Sequence, residues 1–201
     1  MERLESRVEG HYTTPDLIAR IDAALAEMGV DRAGIDDLKP VDEFHTGGLE
    51  ATDALISQLD ITPDMRVLDI GAGLGGTARH IVHRYGAHVT GVDLTEAFVE
   101  TAKILNDRVG LTDAVTMMHG SANDIPVAAG STDLVTMFHV GMNIEDKPRL
   151  MQEVARVLKP GGHFALFDVM RGVSDDDLLF PLPWAQDASM SFVANPLSYI
   201  S

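Results

Sequence analysis

The segment Val67-Leu68-Asp69-Ile70-Gly71-Ala72-Gly73-Leu74-Gly75-Gly76 constrains the fold more than any other stretch of the 201 residues. A short apolar run ends in four glycines within six positions, and a helical pattern follows. Glycine permits a tight turn, leaves no Cβ between backbone and ligand, and brings that ligand to the N-terminus of the next helix. A plain strand-to-helix turn does not need four of them. The run therefore reads as a binding loop, and the remainder of the chain has to build a sheet around it.

That sheet is legible from Met65 onward. Strands are expected at Arg66 to Ile70, His88 to Asp93, Ala114 to Met118, Leu134 to Phe138 and His163 to Asp168, with helices at about Gly76 to Tyr85, Thr95 to Val109 and Asp146 to Leu158. The strands are apolar rather than alternating, which suits a mostly parallel sheet covered by helices on both faces, an α/β doubly wound fold. Ligands bind such sheets beyond the carboxyl ends of the strands. The residues just after each strand are therefore the candidate site.

Gly71, Gly73 and Gly76 satisfy the G-x-G-x-x-G spacing of dinucleotide-binding loops, so an NAD(P)-dependent oxidoreductase is one reading. Asp69 argues against it. A carboxylate two residues before the first glycine opposes a pyrophosphate but favours a ligand with positive charge there. S-adenosylmethionine carries a sulfonium and an ammonium and no phosphate. Asp93, twenty positions after Gly73, can accept hydrogen bonds from both ribose hydroxyls, or instead cap the helix that starts near Thr95. In the loop His119-Gly120-Ser121-Ala122-Asn123-Asp124, Ser121 and the Ala122 backbone are candidates for the adenine edge.

Composition narrows the partners. With 15 Lys+Arg against 31 Asp+Glu, the net charge of −16 repels duplex DNA and anionic membrane surfaces. No cysteine is present, which excludes thiol catalysis, Cys-ligated zinc and disulfides, and no metal is expected. The N-terminal MERLESRVEGHYTTPD has charges where a signal peptide needs an apolar core, and no run of about 18 apolar residues occurs. A cytoplasmic protein is expected. Upstream of the sheet, residues 1–60 read as a helical cap, with amphipathic helices over Thr14 to Met28, capped by Thr13 or Thr14 with Pro15 in the first turn, and over Gly48 to Leu59.

Taken together, VLDIGAGLGG, GVDL, GSANDIP with STDLV, and LKPGGHFALFDV resemble, in order, the motifs of class I S-adenosylmethionine-dependent methyltransferases. Within that Rossmann-like superfamily the text looks closest to the quinone-biosynthesis group and to the glycine, sarcosine and dimethylglycine N-methyltransferases. The resemblance covers about 61–170, the expected cofactor domain. It implies that Asp69, Gly71, Ala72, Gly73, Asp93, Leu94, Ser121 and Ala122 line the cofactor, with Phe138 and His139 over its methionine portion. Glu43-Phe44-His45-Thr46-Gly47-Gly48 is similar to a turn that often precedes the domain in this group, which brings in Gly47. Tyr12 looks like an aromatic lid residue, or else a surface residue.

The function so implied is methyl transfer to the N, O or C atom of a small molecule, by in-line displacement. An obligatory base is not needed, and His139, His45 and His11 are candidates by position. Met142 and Asn143 are placed to shape the acceptor site. The N/D-P-P-Y motif of nucleic-acid amino-methyltransferases is absent. Sheets of this family usually have seven strands, yet only 33 residues follow Asp168 and they show no strand pair, so the C-terminal strands are expected to be missing. Residues 171–201 read as an incomplete substrate lid. Within them Trp184 contacts an acceptor, packs on the domain or covers a homodimer contact. A non-catalytic module that keeps the cofactor fold is the third reading.

Overall fold

The computed structural model describes residues 2–13, 16–42, 45–173 and 177–200, with the side chains of residues 2 and 3 left out. Among the described residues, four helices precede the sheet: α1 (Glu2–Tyr12), α2 (Leu17–Glu27), α3 (Lys39–Asp42), entered through a 3-10 turn at Asp36–Leu38, and α4 (Gly48–Ile56). There follow β1 (Arg66–Ile70), α5 (Gly76–Tyr85), β2 (His88–Asp93), α6 (Glu96–Arg108), β3 (Val115–His119), β4 (Thr132–Phe138), α7 (Lys147–Val157) and β5 (Leu158–Phe167). The five strands form one sheet of order β3-β2-β1-β4-β5, and every pairing is parallel. Order reverses between β1 and β4, so the crevice at their carboxyl ends is the ligand position such sheets provide.

Both faces are covered, as the apolar strands require. Val67, Val89 and Leu134 pack against Ala78, Ile81 and Val82 of α5 and against Val99 and Ala102 of α6. Leu68, Ile70, Val135 and Met137 pack on the other face against Leu150, Val154 and Val157 of α7. Each fully buried Leu or Val contributes about 1.5–3 kcal/mol relative to exposure. A third cluster joins α2, through Ile21 and Leu25, to Leu38, Leu74 and Leu105, and so fastens the helical cap beside the glycine loop.

Several boundaries differ from expectation. The helix expected over 14–28 begins at Leu17, because Thr13 instead closes α1, its amide and hydroxyl both donating to the Glu9 carbonyl at 2.9 Å. Thr14 and Pro15, like Glu43 and Phe44, lie outside the described residues. α1 lies outside the sequence expectations: among its described side chains, residues 4–12, only Val8 is buried, so the apolar stripe is too thin to read. β5 starts five residues earlier than expected. Leu158 pairs with Thr132, the ladder is then irregular, and it resumes at Leu134 opposite His163. After β5 the described residues hold no further strand, only a bridge between Leu182 and Ala185. No helix among them is long and apolar enough to cross a membrane.

The glycine loop is committed to its shape by sterics. Gly71 has φ 69°, and a Cβ there would come within 2.1 Å of Val140 Cγ2. Gly110 has a similar φ of 72° with open space around it. Gly110→Ala should therefore cost about 1 kcal/mol, the left-handed penalty alone. Gly71→Ala adds the clash and should cost about 3 kcal/mol, lowering Tm by roughly 10 °C in a thermal melt. Equal melting shifts for the two would contradict this steric account.

Candidate active site

A cavity of about 1260 Å³ opens at the carboxyl ends of β1, β2 and β4. One drug-sized ligand commonly takes roughly 300–1,000 Å³, so there is room for two ligands side by side. The floor is the glycine loop. Its Gly71 and Ala72 amides both donate to the Val92 carbonyl, at 2.7 and 3.2 Å, which folds the loop back over the end of β2. Asp93, at that end, accepts from Gly73 N at 2.7 Å and from Thr95 N at 2.8 Å. Both readings of Asp93 thus meet in one place: it steadies the start of α6, and it faces the cavity with lone pairs to spare. Burial pushes its pKa up, against the two backbone hydrogen bonds that pull it down.

Asp69 lines the same cavity, 2% exposed, and accepts from the Thr136 hydroxyl at 2.8 Å. Leu94, Ser121, Ala122, Phe138, His139 and Tyr12 also form its wall. Gly47 does not. It caps α4 with φ 86°, and a Cβ would meet Ala51 at 2.9 Å, so its glycine serves the turn rather than the cavity surface, to which Thr46 and His45 contribute instead. Ser121 Oγ donates to Glu5 Oε1 at 2.5 Å, tying the loop after β3 to the first helix of the cap.

The other end of the cavity is a box of rings. His45 stacks on Phe138 with centroids 5.2 Å apart and lies 5.9 Å from His139, whose ring is 5.2 Å from Phe167. Phe167 was not anticipated, being one apolar residue among several in β5. His139 holds φ 53°, a left-handed setting uncommon for a residue other than glycine, and its amide is anchored to the Phe167 carbonyl at 2.8 Å. Burial, with His45 beside it, pulls the His139 pKa below the usual histidine value, so the imidazole is neutral and able to accept a proton at pH 7. His45 Nε2 shares a hydrogen bond with Thr52 Oγ1 at 3.0 Å.

Asn143 gathers the roof. Its Oδ1 accepts from the Tyr12 hydroxyl at 3.2 Å, and its Nδ2 donates to the carbonyls of Trp184 and Met190 at 2.8 and 3.0 Å. His11 Nε2 lies 3.2 Å from the Pro183 carbonyl. Helix α1 and the segment after β5 are thus joined over the cavity by Val8, Ala185 and Met190 and by one polar hub. Charge in the wall is one-sided. Glu5, Asp42, Asp69, Asp93, Glu145 and Asp146 face a single Arg20 and no lysine among the described lining residues. Asp42, which sequence reasoning missed, sits at the N-terminus of α5: a Cβ on Gly76 would be 2.8 Å from its Oδ1. The helix end that holds a pyrophosphate in dinucleotide sites is here taken by the protein's own carboxylate.

Residues 68–166 match the Methyltransf_11 model, described as a methyltransferase domain. The chain carries a class I S-adenosylmethionine-dependent methyltransferase domain. It is 33% identical over 131 residues to the glycine/sarcosine/dimethylglycine N-methyltransferase of Actinopolyspora halophila, covering 65% of this chain and 23% of that protein. It is 33% identical over 136 residues to the sarcosine/dimethylglycine N-methyltransferase of Halorhodospira halochloris, covering 68% of this chain and 48% of that one. A solved structure from Galdieria sulphuraria, described as a sarcosine dimethylglycine methyltransferase, superposes with a TM-score of 0.58 at 31% identity, over 59% of this chain and 46% of that chain. The chain thus spans about half or less of the length of these three relatives. The nicotinamide-dependent reading gives way to the methyltransferase domain, in agreement with the acidic wall.

The hub makes a prediction. Asn143→Leu keeps the volume but strands a hydroxyl and two carbonyls, and should cost about 3 kcal/mol. In limited proteolysis the bonds within residues 177–190 should be cut before the sheet unfolds. Cleavage that begins only with global unfolding would show that Asn143 does not hold the roof.

Proposed function

We propose that the chain transfers a methyl group from S-adenosylmethionine to an amine or hydroxyl of a small neutral or cationic molecule, with His139 as the group that takes the proton. The carrying observation is the pairing of an acidic cofactor cavity with a ring-lined end where two imidazoles stand 5.9 Å apart. The cofactor suits the residues present. Open backbone at Gly73, the Asp93 carboxylate and the absence of lysine in the described wall match an adenosine that bears positive rather than phosphate charge. Tyr12, Asp69, Ala72, Leu94, Ser121, Ala122, Phe138 and His139 would complete its surroundings, each of them in the cavity wall.

When bound, S-adenosylmethionine supplies an electrophilic methyl group on a sulfonium. The protein's share is placement: a site that holds an acceptor close and collinear supplies much of the rate by itself. Phe138 and His45, both in the cavity wall, give that acceptor a flat apolar seat and limit the water that reaches it, and Phe167 packs against their rings from outside the wall. His139, neutral at pH 7, accepts the proton that an amine or hydroxyl releases as it gains the methyl group. A phosphorylated or nucleic-acid acceptor is disfavoured by six wall carboxylates and by the net charge of −16. The relatives' names favour an amine, although the carboxylate of an amino acid would find only Arg20, an exposed residue, as its counter-charge. The segment 177–190 acts as an acceptor lid in this reading, with Trp184 in the wall. A cytoplasmic setting belongs to the proposal, supported by the cysteine-free composition.

Incubation with S-adenosylmethionine and matched pairs of free and phosphorylated amines and phenols, read by product mass, tests the proposal. Methylation should occur in the unphosphorylated members. With an aliphatic hydroxyl acceptor the rate should climb with pH through a pKa below about 6.5, where His139 loses its proton, and stay flat above. His139→Gln should lower kcat/KM for a hydroxyl acceptor by roughly 10²- to 10⁴-fold. Preference for the phosphorylated partners, or an unchanged kcat/KM in the variant, would overturn the acceptor class or the base respectively.

A further inference from the structure

Arg79 lies in the middle of α5, 0% exposed, and is the largest side chain so completely buried among the described residues. Its Nη2 donates to Asp42 Oδ2 at 2.5 Å and to the Leu74 carbonyl at 2.7 Å, and its Nη1 donates to Asn106 Oδ1 at 2.7 Å. One guanidinium therefore joins three separate parts: the end of the helical cap, the glycine loop and α6. Two glycines of the loop are spent on this arrangement. A Cβ on Gly75 would stand 3.0 Å from Arg79 Nη1, and one on Gly76 would stand 2.7 Å from the Asp42 carbonyl. The side chain of Asp42 is 1% exposed to solvent, yet the residue contributes to the cavity wall.

A buried ion pair is a poor device for stability alone. Desolvating two charges offsets most of their attraction, and apolar residues of similar volume in the same place are often as stable or more so. Placing a charged pair here has a consequence that an apolar pair lacks: it holds a carboxylate at the N-terminus of α5 and ties the wall of the cavity to the loop that forms its floor. We infer that Arg79 is a positioning residue of the cofactor site, which couples docking of the helical cap to cofactor binding by holding Asp42 in the cavity wall and the Leu74 carbonyl in the glycine loop. The inference rests on the reading of this cavity as the S-adenosylmethionine site. Coupling of this kind is reciprocal: a ligand that tightens the loop tightens the cap to the same degree.

Two measurements test it. The first replaces the pair with apolar residues in the double variant Arg79→Met/Asp42→Leu. It is expected to melt within a few degrees of the parent, whereas Arg79→Met alone, which leaves Asp42 buried without its counter-charge, melts far lower. The double variant should nevertheless bind S-adenosylhomocysteine at least about fivefold more weakly by isothermal titration calorimetry. Parental affinity in a stable double variant would make the pair merely structural and overturn the inference. The second uses the unmodified chain, so that it does not depend on the variants folding. Addition of S-adenosylhomocysteine should slow amide hydrogen exchange in residues 36–42 together with that in 71–77. Protection of 71–77 without any change in 36–42 would show that loop and cap are not coupled. Absence of binding heat and of protection in either segment would instead show that the cofactor reading itself has failed.

Discussion

The rest of the structure depends on the Val92 carbonyl, which accepts from both Gly71 and Ala72. That single acceptor at the end of β2 turns the chain leaving β1 sharply enough that α5 can start at Gly76 and run back along the sheet. The turn is possible only because Gly71, Gly73 and Gly75 all adopt positive φ. It also brings Gly71 so close to Val140 that the residue after His139 packs directly on the loop. Cofactor floor and acceptor-end imidazole are therefore set by one packing contact, which is why both are held firmly although they come from strands separated by about 70 residues of sequence.

Around that turn the protein concentrates charge where a folded domain usually avoids it. Asp42, Asp69 and Asp93 are all buried, and each is steadied by a different partner: a guanidinium, a threonine hydroxyl, and two backbone amides. Buried carboxylates are tolerated when their hydrogen-bonding capacity is met. Held by these partners, they present negative potential to a low-dielectric cavity, where it acts more strongly than the scattered acids of the surface. The potential suits a sulfonium-bearing cofactor and a neutral or cationic acceptor, and it repels phosphate.

What the sequence made legible was local. β1 and β2 end where the apolar runs end, and α5 spans the residues that its pattern indicated. The fifth strand is expected from His163, but the ladder begins at Leu158, which pairs with Thr132 of β4, and is irregular before it resumes at His163. α1 escaped notice because it buries its stripe against residues 180–190 rather than against the main core. Arg79 and Asp42 escaped for a different reason. A charged residue on a helix normally faces water, and no spacing within the chain announces that two of them, 37 positions apart, meet under the glycine loop. The doubled Gly75-Gly76 was the only trace they left, and it was attributed to the ligand. Gly47 was the converse, a glycine assigned to the cofactor whose φ serves the start of α4.

The most direct question is which adenosine-bearing cofactor the acidic cavity accepts. Calorimetric titration of the purified chain with S-adenosylmethionine and, separately, with NAD, at low and at high salt, measures this directly. One S-adenosylmethionine should bind per chain, more weakly as salt screens the wall carboxylates, and NAD should produce no binding heat. Stoichiometric binding of NAD, or an affinity for S-adenosylmethionine that rises with salt, would contradict the cofactor assignment.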